Sequence, residues 1–326
     1  MRAPRVLLAI AVTSVWLVST AEMALADAPN SRTAATTNLG LNAWHTETLS
    51  STSDVDWFRF TTTQPRFARI RLGHLAADYA LELFDSGGSR LALSDLTGTA
   101  FEEIYRQLPA GRYFLKVSSR RGAITSTPYL VRFDSLGDGV FALSSHVVSF
   151  GGGSELSVDG LNNTGRTLVG VSYDVRTYNS SGTQLSHQTG VWAYQVPPRT
   201  HAVVSLATPE GAVRASVHLA SAGTTSKPRL TFQTSVTSRS SSGVNMSVKN
   251  TSSITSYNTS IWETYFDWKG DIIRLYRSFV ATSSQQSDAA LKPGETGYGG
   301  IQGGKGYNRL SYRAYGVDHY VKPYTT

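Results

Sequence analysis

The sequence predicts an all-β protein built from several small β-sandwiches. Short runs of alternating apolar and polar residues are separated by Gly, Ser, Asn and Pro, and long helical periodicity is absent. A chain of 326 residues has room for two or three domains of ordinary size. Hydrophobic residues make up 40% and charged residues 16% of the chain, a balance typical of a folded protein.

The N-terminus has the features of a secretory signal peptide, residues 1–26. Arg2 and Arg5 precede an apolar run at residues 6–18, and Ala24 and Ala26 form a small-x-small cleavage signal. A polar segment, residues 27–37, follows. The apolar run is short for a membrane span and no later run is longer, so we expect a secreted protein without a transmembrane segment.

The chain has no cysteine, which excludes disulfides, thiolate metal sites and cysteine nucleophiles. A disulfide-free chain with such a signal is typical of bacteria. The formal charge of +7 favours anionic partners such as acidic polysaccharides, although dispersed surface Lys and Arg would give the same number.

Residues 38–135 are predicted to form the first sandwich. Apolar residues alternate at 56–60, 68–72, 79–84, 113–117 and 129–133, and turns are expected at 85–88 and 109–111. Phe101, Ile104, Tyr105 and Leu108 have helix-like spacing, which allows a short helical turn there.

Three ordered motifs in this stretch carry a family resemblance. They are Asp54-Val55-Asp56-Trp57-Phe58-Arg59-Phe60, the strand from Tyr79 ending in Phe84-Asp85-Ser86-Gly87-Gly88, and Leu108-Pro109-Ala110-Gly111-Arg112-Tyr113. This stretch resembles the bacterial pre-peptidase C-terminal domain. The resemblance implies a jelly-roll-like β-sandwich that serves as a non-catalytic appendage of exported proteins. Ala80 stands where many members have an acidic residue, which weakens the transfer of a calcium site to that strand.

Residues 140–225 are predicted to form an immunoglobulin-like β-sandwich. A long alternating strand at 168–178 is followed by a hairpin turn at 179–182, and alternation returns at 203–206 and 213–219.

Residues 228–326 are predicted to repeat that sandwich. Asn163-Thr164 corresponds to Asn250-Thr251, Gly182 to Gly270, and Pro198-Arg199-Thr200 to Pro293-Gly294-Glu295. The repeated unit resembles the FxLYD-like immunoglobulin-type domains of bacterial secreted proteins. Asn-x-Ser/Thr triplets begin at five positions, which we interpret as products of a Ser/Thr/Asn-rich composition: Asn162, Asn179, Asn245, Asn250 and Asn258.

Familiar catalytic arrangements are missing from the sequence. It contains no Gly-x-Ser-x-Gly elbow, and its seven histidines are scattered singly without the spacing of a zinc site. A carboxylate pair assembled from distant strands stays open. A calcium site is a further hypothesis, with Asp54 and Asp56 as oxygen ligands; the alternative is that these two residues only shape the turn before a strand.

Aromatic and basic residues near the C-terminus give the sharpest binding hypothesis. Exposed rings could stack on sugars, whereas on alternating strands about half would face the core. The candidate ligand-binding residues are Trp262, Trp268, Tyr307, Arg309 and Tyr315. No nucleic-acid-binding motif accompanies them.

The sequence therefore predicts a secreted, non-catalytic binding or surface-accessory protein. The expected partners are extracellular polysaccharide, cell-wall polymer or another exported protein. The alternatives are a secreted hydrolase with an unfamiliar active site between domains, or a structural spacer or protease-associated module.

Overall fold

A computed structural model describes residues 28–150, 153–240, 243–282, 290–302 and 307–317. Apart from one short 3₁₀ helix, Arg32–Ala34, the regular structure in these ranges consists of antiparallel strands, which confirms the all-β fold class. The predicted signal peptide, residues 1–26, lies outside the described residues. No helix in the described part of the chain is long and apolar enough to cross a membrane.

The first sandwich consists of two four-stranded sheets, ordered β1-β8-β3-β6 and β2-β7-β4-β5. Its core forms because alternate residues of each strand point inward, as Phe58 and Phe60 of β2 do. The strands are β1 Trp44–Glu47, β2 Val55–Thr62, β3 Arg66–Gly73, β4 Tyr79–Asp85, β5 Arg90–Ser94, β6 Glu102–Leu108, β7 Gly111–Ser119 and β8 Tyr129–Leu136.

The expectation of a helical turn at residues 101–108 is wrong, because this segment forms strand β6, paired with β3. Ile104 and Leu108 face the core of the first sandwich. Phe101 and Tyr105 contact the other sandwiches, where Phe101 packs on Phe266. When a strand carries apolar residues on both faces, the combined spacing of these residues along the sequence can match that of a helix.

The remaining strands form two six-stranded units with the same strand order. Their sheets are β13-β10-β9 and β12-β11-β14 in the second sandwich, and β15-β16-β19 and β18-β17-β20 in the third. The strands are β9 Val140–Phe150, β10 Gly153–Asn162, β11 Leu168–Tyr178, β12 Gln184–Trp192, β13 Thr200–Thr208, β14 Arg214–Thr224, β15 Phe232–Ser240, β16 Gly243–Asn250, β17 Tyr257–Phe266, β18 Ile272–Phe279, β19 Thr296–Gln302 and β20 Arg309–Val317.

Each of these units contains a buried asparagine that ties the end of one sheet to the other. Asn162 donates to the carbonyls of Arg166, Val196 and Pro197, and its Oδ1 accepts from the backbone N–H and hydroxyl of Thr164.

Asn250 repeats this pattern. It donates to Ile254 and Leu291, and it accepts from the N–H and hydroxyl of Ser252. The residue equivalent to Asn250 is therefore Asn162, and the pairing of Asn163 with Asn250 is wrong by one position. These two Asn-x-Ser/Thr triplets are hydrogen-bonded motifs of the fold.

Strand β17 is buried on both faces, which joins the third sandwich to the second. Ile261 points into the core between the two sheets of the third sandwich. Trp262 and Phe266, on the opposite face, belong to a core shared with Val158 and Val204 of the second sandwich. A strand buried on both sides has a continuous apolar sequence, as Ile261-Trp262 and Tyr265-Phe266 illustrate.

The β17–β18 hairpin of the third sandwich packs against the first. Arg69 donates to the carbonyl of Gly270 at 3.1 Å, and Arg71 donates to the carbonyl of Lys269 at 2.7 Å and to Asp271 at 3.1 Å. The space is tight, because a Cβ added at Gly73 would lie 2.2 Å from the Trp268 carbonyl oxygen. The three sandwiches therefore contact one another through specific buried groups.

Replacing either buried asparagine with alanine should destabilise the protein by about 2 kcal/mol or more, because several buried carbonyls lose their donor. Asn250→Ala and Asn162→Ala are expected to have similar effects on the urea midpoint. The exposed Asn245, which donates to Ser238, provides the control, since Asn245→Ala should change stability by no more than about 0.5 kcal/mol. Equal effects of all three variants would contradict the structural role.

Gly182 and Gly270 occupy equivalent turns, with φ angles of 85° and 75°. Alanine at either position costs about 1 kcal/mol because of the backbone conformation. At Gly270 the new Cβ would also lie 2.8 Å from the Phe101 ring, whereas Gly182 has open space. Gly270→Ala should therefore lower the thermal midpoint more than Gly182→Ala; equal shifts would show that the contact with the first sandwich contributes little.

Candidate functional site between the second and third sandwiches

Four large aromatic residues meet where the second and third sandwiches pack. Trp192 lies 5.5 Å from Trp262 and 5.3 Å from Tyr315 between ring centroids, both edge to face, and 4.8 Å from Tyr194. All four are buried, and Trp262 is only 1% exposed. These edge-to-face contacts fix the ring positions and make the junction rigid.

The tyrosines and tryptophans of this cluster differ in how their polar atoms are satisfied. The Tyr194 hydroxyl lies 3.0 Å from Ser260 Oγ, and the Tyr315 hydroxyl donates to the His201 carbonyl at 3.0 Å. The indole N–H groups of Trp192 and Trp262 are buried and have no hydrogen-bond partner within the described residues. Two buried donors without a partner in the described structure therefore lie on neighbouring rings.

Both tryptophans line a cavity of about 380 Å³ between the two sandwiches. Glu155 and Ser205, on neighbouring strands β10 and β13, contribute one wall, where the Ser205 hydroxyl donates to the Glu155 carboxylate. The other wall comes from β18, with Leu275, Tyr276 and Arg277.

Arg277 lies where this cavity meets solvent. Its side chain is exposed, and its guanidinium lies over the rings of Trp262, at 5.4 Å, and Phe279, at 4.5 Å. Because the tryptophans are buried and Arg277 is exposed, the cavity has an aromatic inner end and a charged entrance. Its volume falls within the roughly 300–1,000 Å³ of small-molecule sites.

The cavity offers both kinds of hydrogen-bonding group. The Arg277 guanidinium can donate and the Glu155 carboxylate can accept, while the indole N–H groups of Trp192 and Trp262 are buried next to the lining. A hydroxyl group both donates and accepts, so a compact ligand that carries several hydroxyls can satisfy these groups together.

A network of buried charged residues lies where the three sandwiches meet. Arg69 donates to Glu103 at 2.8 Å within the first sandwich, and Arg309 of the third lies 3.7 Å from the same carboxylate. In the second sandwich, His201 Nδ1 lies 2.5 Å from Asp159.

Burial raises the pKa of the carboxylates in this network, and the neighbouring cations lower it. Burial alone would raise the pKa of Asp159, but His201 and Arg69 hold it below its usual value. Burial likewise opposes ionisation of Glu103, whose pKa is lowered by Arg69, His201 and Arg309. Both groups are therefore ionised in the folded protein near neutral pH. Their negative charges are balanced by the neighbouring cations.

The predicted ligand-binding residues are distributed over three places. Trp262 and Tyr315 lie in the aromatic junction, and Trp262 also lines the cavity. Trp268 packs against His74 and Trp44 at the contact with the first sandwich, with ring centroids 5.1 and 6.4 Å away.

Arg309 lies at the same contact, 4.7 Å from the Phe101 ring. Tyr307 is exposed and packs edge to face on Tyr265 at 4.9 Å. The proposed exposed aromatic surface is therefore not one site. Of the five residues, Trp262 is the one that lines the inter-sandwich cavity.

The two predicted calcium ligands are hydrogen-bonded within the protein. Asp54 accepts from the Ser50 backbone N–H at 2.6 Å and from its hydroxyl at 2.7 Å, and Asp56 accepts from the Tyr129 hydroxyl in the core. Among the described residues no group of three or more His, Asp or Glu side chains is placed to hold a metal ion. Calcium binding stays a prediction.

Sequence analysis missed Trp192, Glu155, Ser205 and Arg277. The segment containing Trp192 and Tyr194, two positions apart before Pro197, does place two aromatic rings on one face. Glu155, Ser205 and Arg277 lie on strands far apart in sequence, and no local pattern links them.

No protein-family model matches this chain, and a comparison with curated proteins finds no match. Solved structures do resemble it. The pre-peptidase C-terminal domain of a collagenase from Bacillus anthracis is 17% identical, with 30% of this chain and 93% of that chain covered and a TM-score of 0.27.

Two glycoside hydrolase structures cover more of the chain. A GH2 β-galacturonidase from Eisenbergiella tayi is 10% identical, with 73% of this chain and 37% of that chain covered and a TM-score of 0.33. A putative β-galactosidase from Bacteroides fragilis is 9% identical, with 73% and 36% covered and a TM-score of 0.32. The chain spans little more than a third of either enzyme. These comparisons indicate no specific family for this chain.

Asp159→Asn should destabilise the protein by about 3 kcal/mol near neutral pH, because it leaves His201 without its buried partner. The folded pKa of Asp159 is depressed, so its contribution is present above the ordinary value of 3.8 and disappears as the pH falls through the folded pKa. The difference in unfolding free energy between the native protein and the variant should therefore shrink below pH 4.

The exposed pair Asp174 and His187, 3.0 Å apart, supplies a matched control for that variant. Because solvent screens this pair, Asp174→Asn should have a much smaller effect at every pH. A pH-independent loss in Asp159→Asn would contradict the role of the charge.

Proposed function

We propose that this protein is a secreted, non-catalytic binding protein whose inter-sandwich cavity holds one sugar unit of an extracellular or cell-wall polysaccharide. The observation that carries the proposal is the pair of buried indole N–H groups, on Trp192 and Trp262, without a partner in the described structure and beside one cavity. A buried donor without an acceptor costs about 1–3 kcal/mol, which a bound acceptor would recover.

The sugar class follows from the arrangement of donors and acceptors. A purely anionic ligand would be repelled by Glu155, and an apolar ligand would leave the indole donors unsatisfied. Neighbouring hydroxyls of a pyranose can accept from the indoles and donate to the carboxylate. The exposed Arg277 at the entrance can contact the next unit of a chain, or a charged substituent on it.

The export part of the proposal rests on the sequence at residues 1–26. The N-terminal sequence of protein recovered from culture medium is expected to begin at Asp27. Full-length protein retained in the cytoplasm would contradict export. It would not contradict binding at the cavity, which is tested separately.

The cavity is tested by isothermal titration calorimetry, in which defined oligosaccharides and cell-wall fragments are added to the purified protein. Trp192→Phe and Trp262→Phe keep an aromatic ring but remove the N–H, and Glu155→Gln removes the charge. Each should weaken binding about 10-fold, in line with the loss of one buried hydrogen bond.

Trp57→Phe is the matched control, because Trp57 packs on Phe84 in the first sandwich, away from the cavity. It should bind like the native protein. Binding that is unchanged in all three cavity variants would reject this site. Release of shorter sugars from the ligand would contradict the non-catalytic part of the proposal.

A further inference from the structure

A second cavity, of about 350 Å³, lies where the connector between the second and third sandwiches meets strands β15 and β20. Its lining differs from that of the first cavity, since the described residues that form it include two arginines and no acidic residue. The lining includes Thr200, Arg229, Phe232, Thr234, Tyr312 and Arg313.

The two arginines have no carboxylate partner within 4 Å among the described residues. Arg229 is exposed on the connector, whereas Arg313 is half-buried on β20. The Nη1 atom of Arg313 is itself buried and has no hydrogen-bond partner in the described structure. A guanidinium carries five N–H donors, and Arg313 lines the cavity, so its accessible donors can serve a ligand there.

The buried carboxylate of Asp159 already has another partner. Asp159 lies within the electrostatic range of Arg313, but it is bonded to His201 at 2.5 Å and also feels Arg69. Asp159 is therefore not a dedicated partner of Arg313.

The connector is held in place on both sides, so the cavity is preformed. Gln195 Oε1 accepts from the Leu230 backbone N–H at 2.8 Å. On the next residue, the Thr231 carbonyl accepts from the Thr251 N–H at 2.9 Å, and their hydroxyls are 2.9 Å apart. Fixed positions of this kind lower the entropic cost of binding.

We propose that this cavity binds an oxyanion, the carboxylate, phosphate or sulfate group of a ligand, between Arg229 and Arg313. The planar guanidinium group donates two parallel hydrogen bonds to such groups. The Thr234 hydroxyl is a further donor in the lining, and the Phe232 ring supplies an apolar side. A carboxylate, phosphate or sulfate therefore matches the charge and the donors of the cavity.

This site is separate from the sugar cavity and goes beyond the proposed function. Thr200 lines the second cavity and Ser205 lines the first. Both lie on strand β13, five positions and hence roughly 17 Å apart. The two sites can therefore be tested and can fail independently.

The test uses inorganic phosphate and sulfate as probes with the full chain, at constant ionic strength set with chloride. Either probe should raise the thermal midpoint and give a saturable calorimetric signal. Arg313→Gln should weaken binding at least 10-fold, and Arg229→Gln several-fold. Because Arg229 is exposed, that variant should fold normally even if Arg313→Gln does not.

Arg112→Gln supplies the matched control, because Arg112 is an exposed arginine of the first sandwich and its loss changes the net charge by the same amount. It should leave phosphate binding unchanged. Equal binding by the native protein and Arg229→Gln, or equal weakening by Arg112→Gln, would overturn the site. Titration with glucuronate and with glucose 6-phosphate then separates a carboxylate ligand from a phosphate ligand, and neither should depend on Trp192.

Discussion

The arrangement of the three sandwiches depends on two arginines of one strand. Arg69 and Arg71 both lie on β3 of the first sandwich and both donate to carbonyls of the β17–β18 hairpin of the third. Each also binds a carboxylate of its own sheet, Glu103 or Asp134. A displaced hairpin would take these carbonyl acceptors away from two buried guanidinium groups, which costs hydrogen bonds that water cannot easily replace. Because hydrogen bonds are directional, these contacts define the position of the hairpin more closely than apolar packing alone.

That constraint also positions the candidate binding cavity. The hairpin held by the first sandwich is continuous with β17 and β18, which supply Trp262 and Arg277 to the cavity. The second sandwich supplies Trp192 and Glu155. A site assembled from two modules is only as well ordered as their contact, and here a shared core and a third module both restrain it.

Local sequence patterns predicted the strands of this protein well and its contacts poorly. Alternation located β2 and β11, and turn residues located the hairpin at Gly182, because these signals are carried by neighbouring residues. The spacing of Phe101 and Tyr105 was misinterpreted, since their burial is caused by other sandwiches. Trp262 was chosen for its aromatic character, but its partners Trp192 and Glu155 come from distant strands and only the fold brings them together.

The buried asparagines have a consequence for how the protein can be made. Enzymes that attach N-linked glycans recognise Asn-x-Ser/Thr in nascent chains and bond the sugar to the side-chain nitrogen. In this fold that nitrogen in Asn162 and Asn250 is fully buried and donates to backbone carbonyls. A glycan added there before folding could not be accommodated. Eukaryotic secretory hosts are therefore unsuitable for producing the native chain, whereas hosts that lack this modification pose no such obstacle.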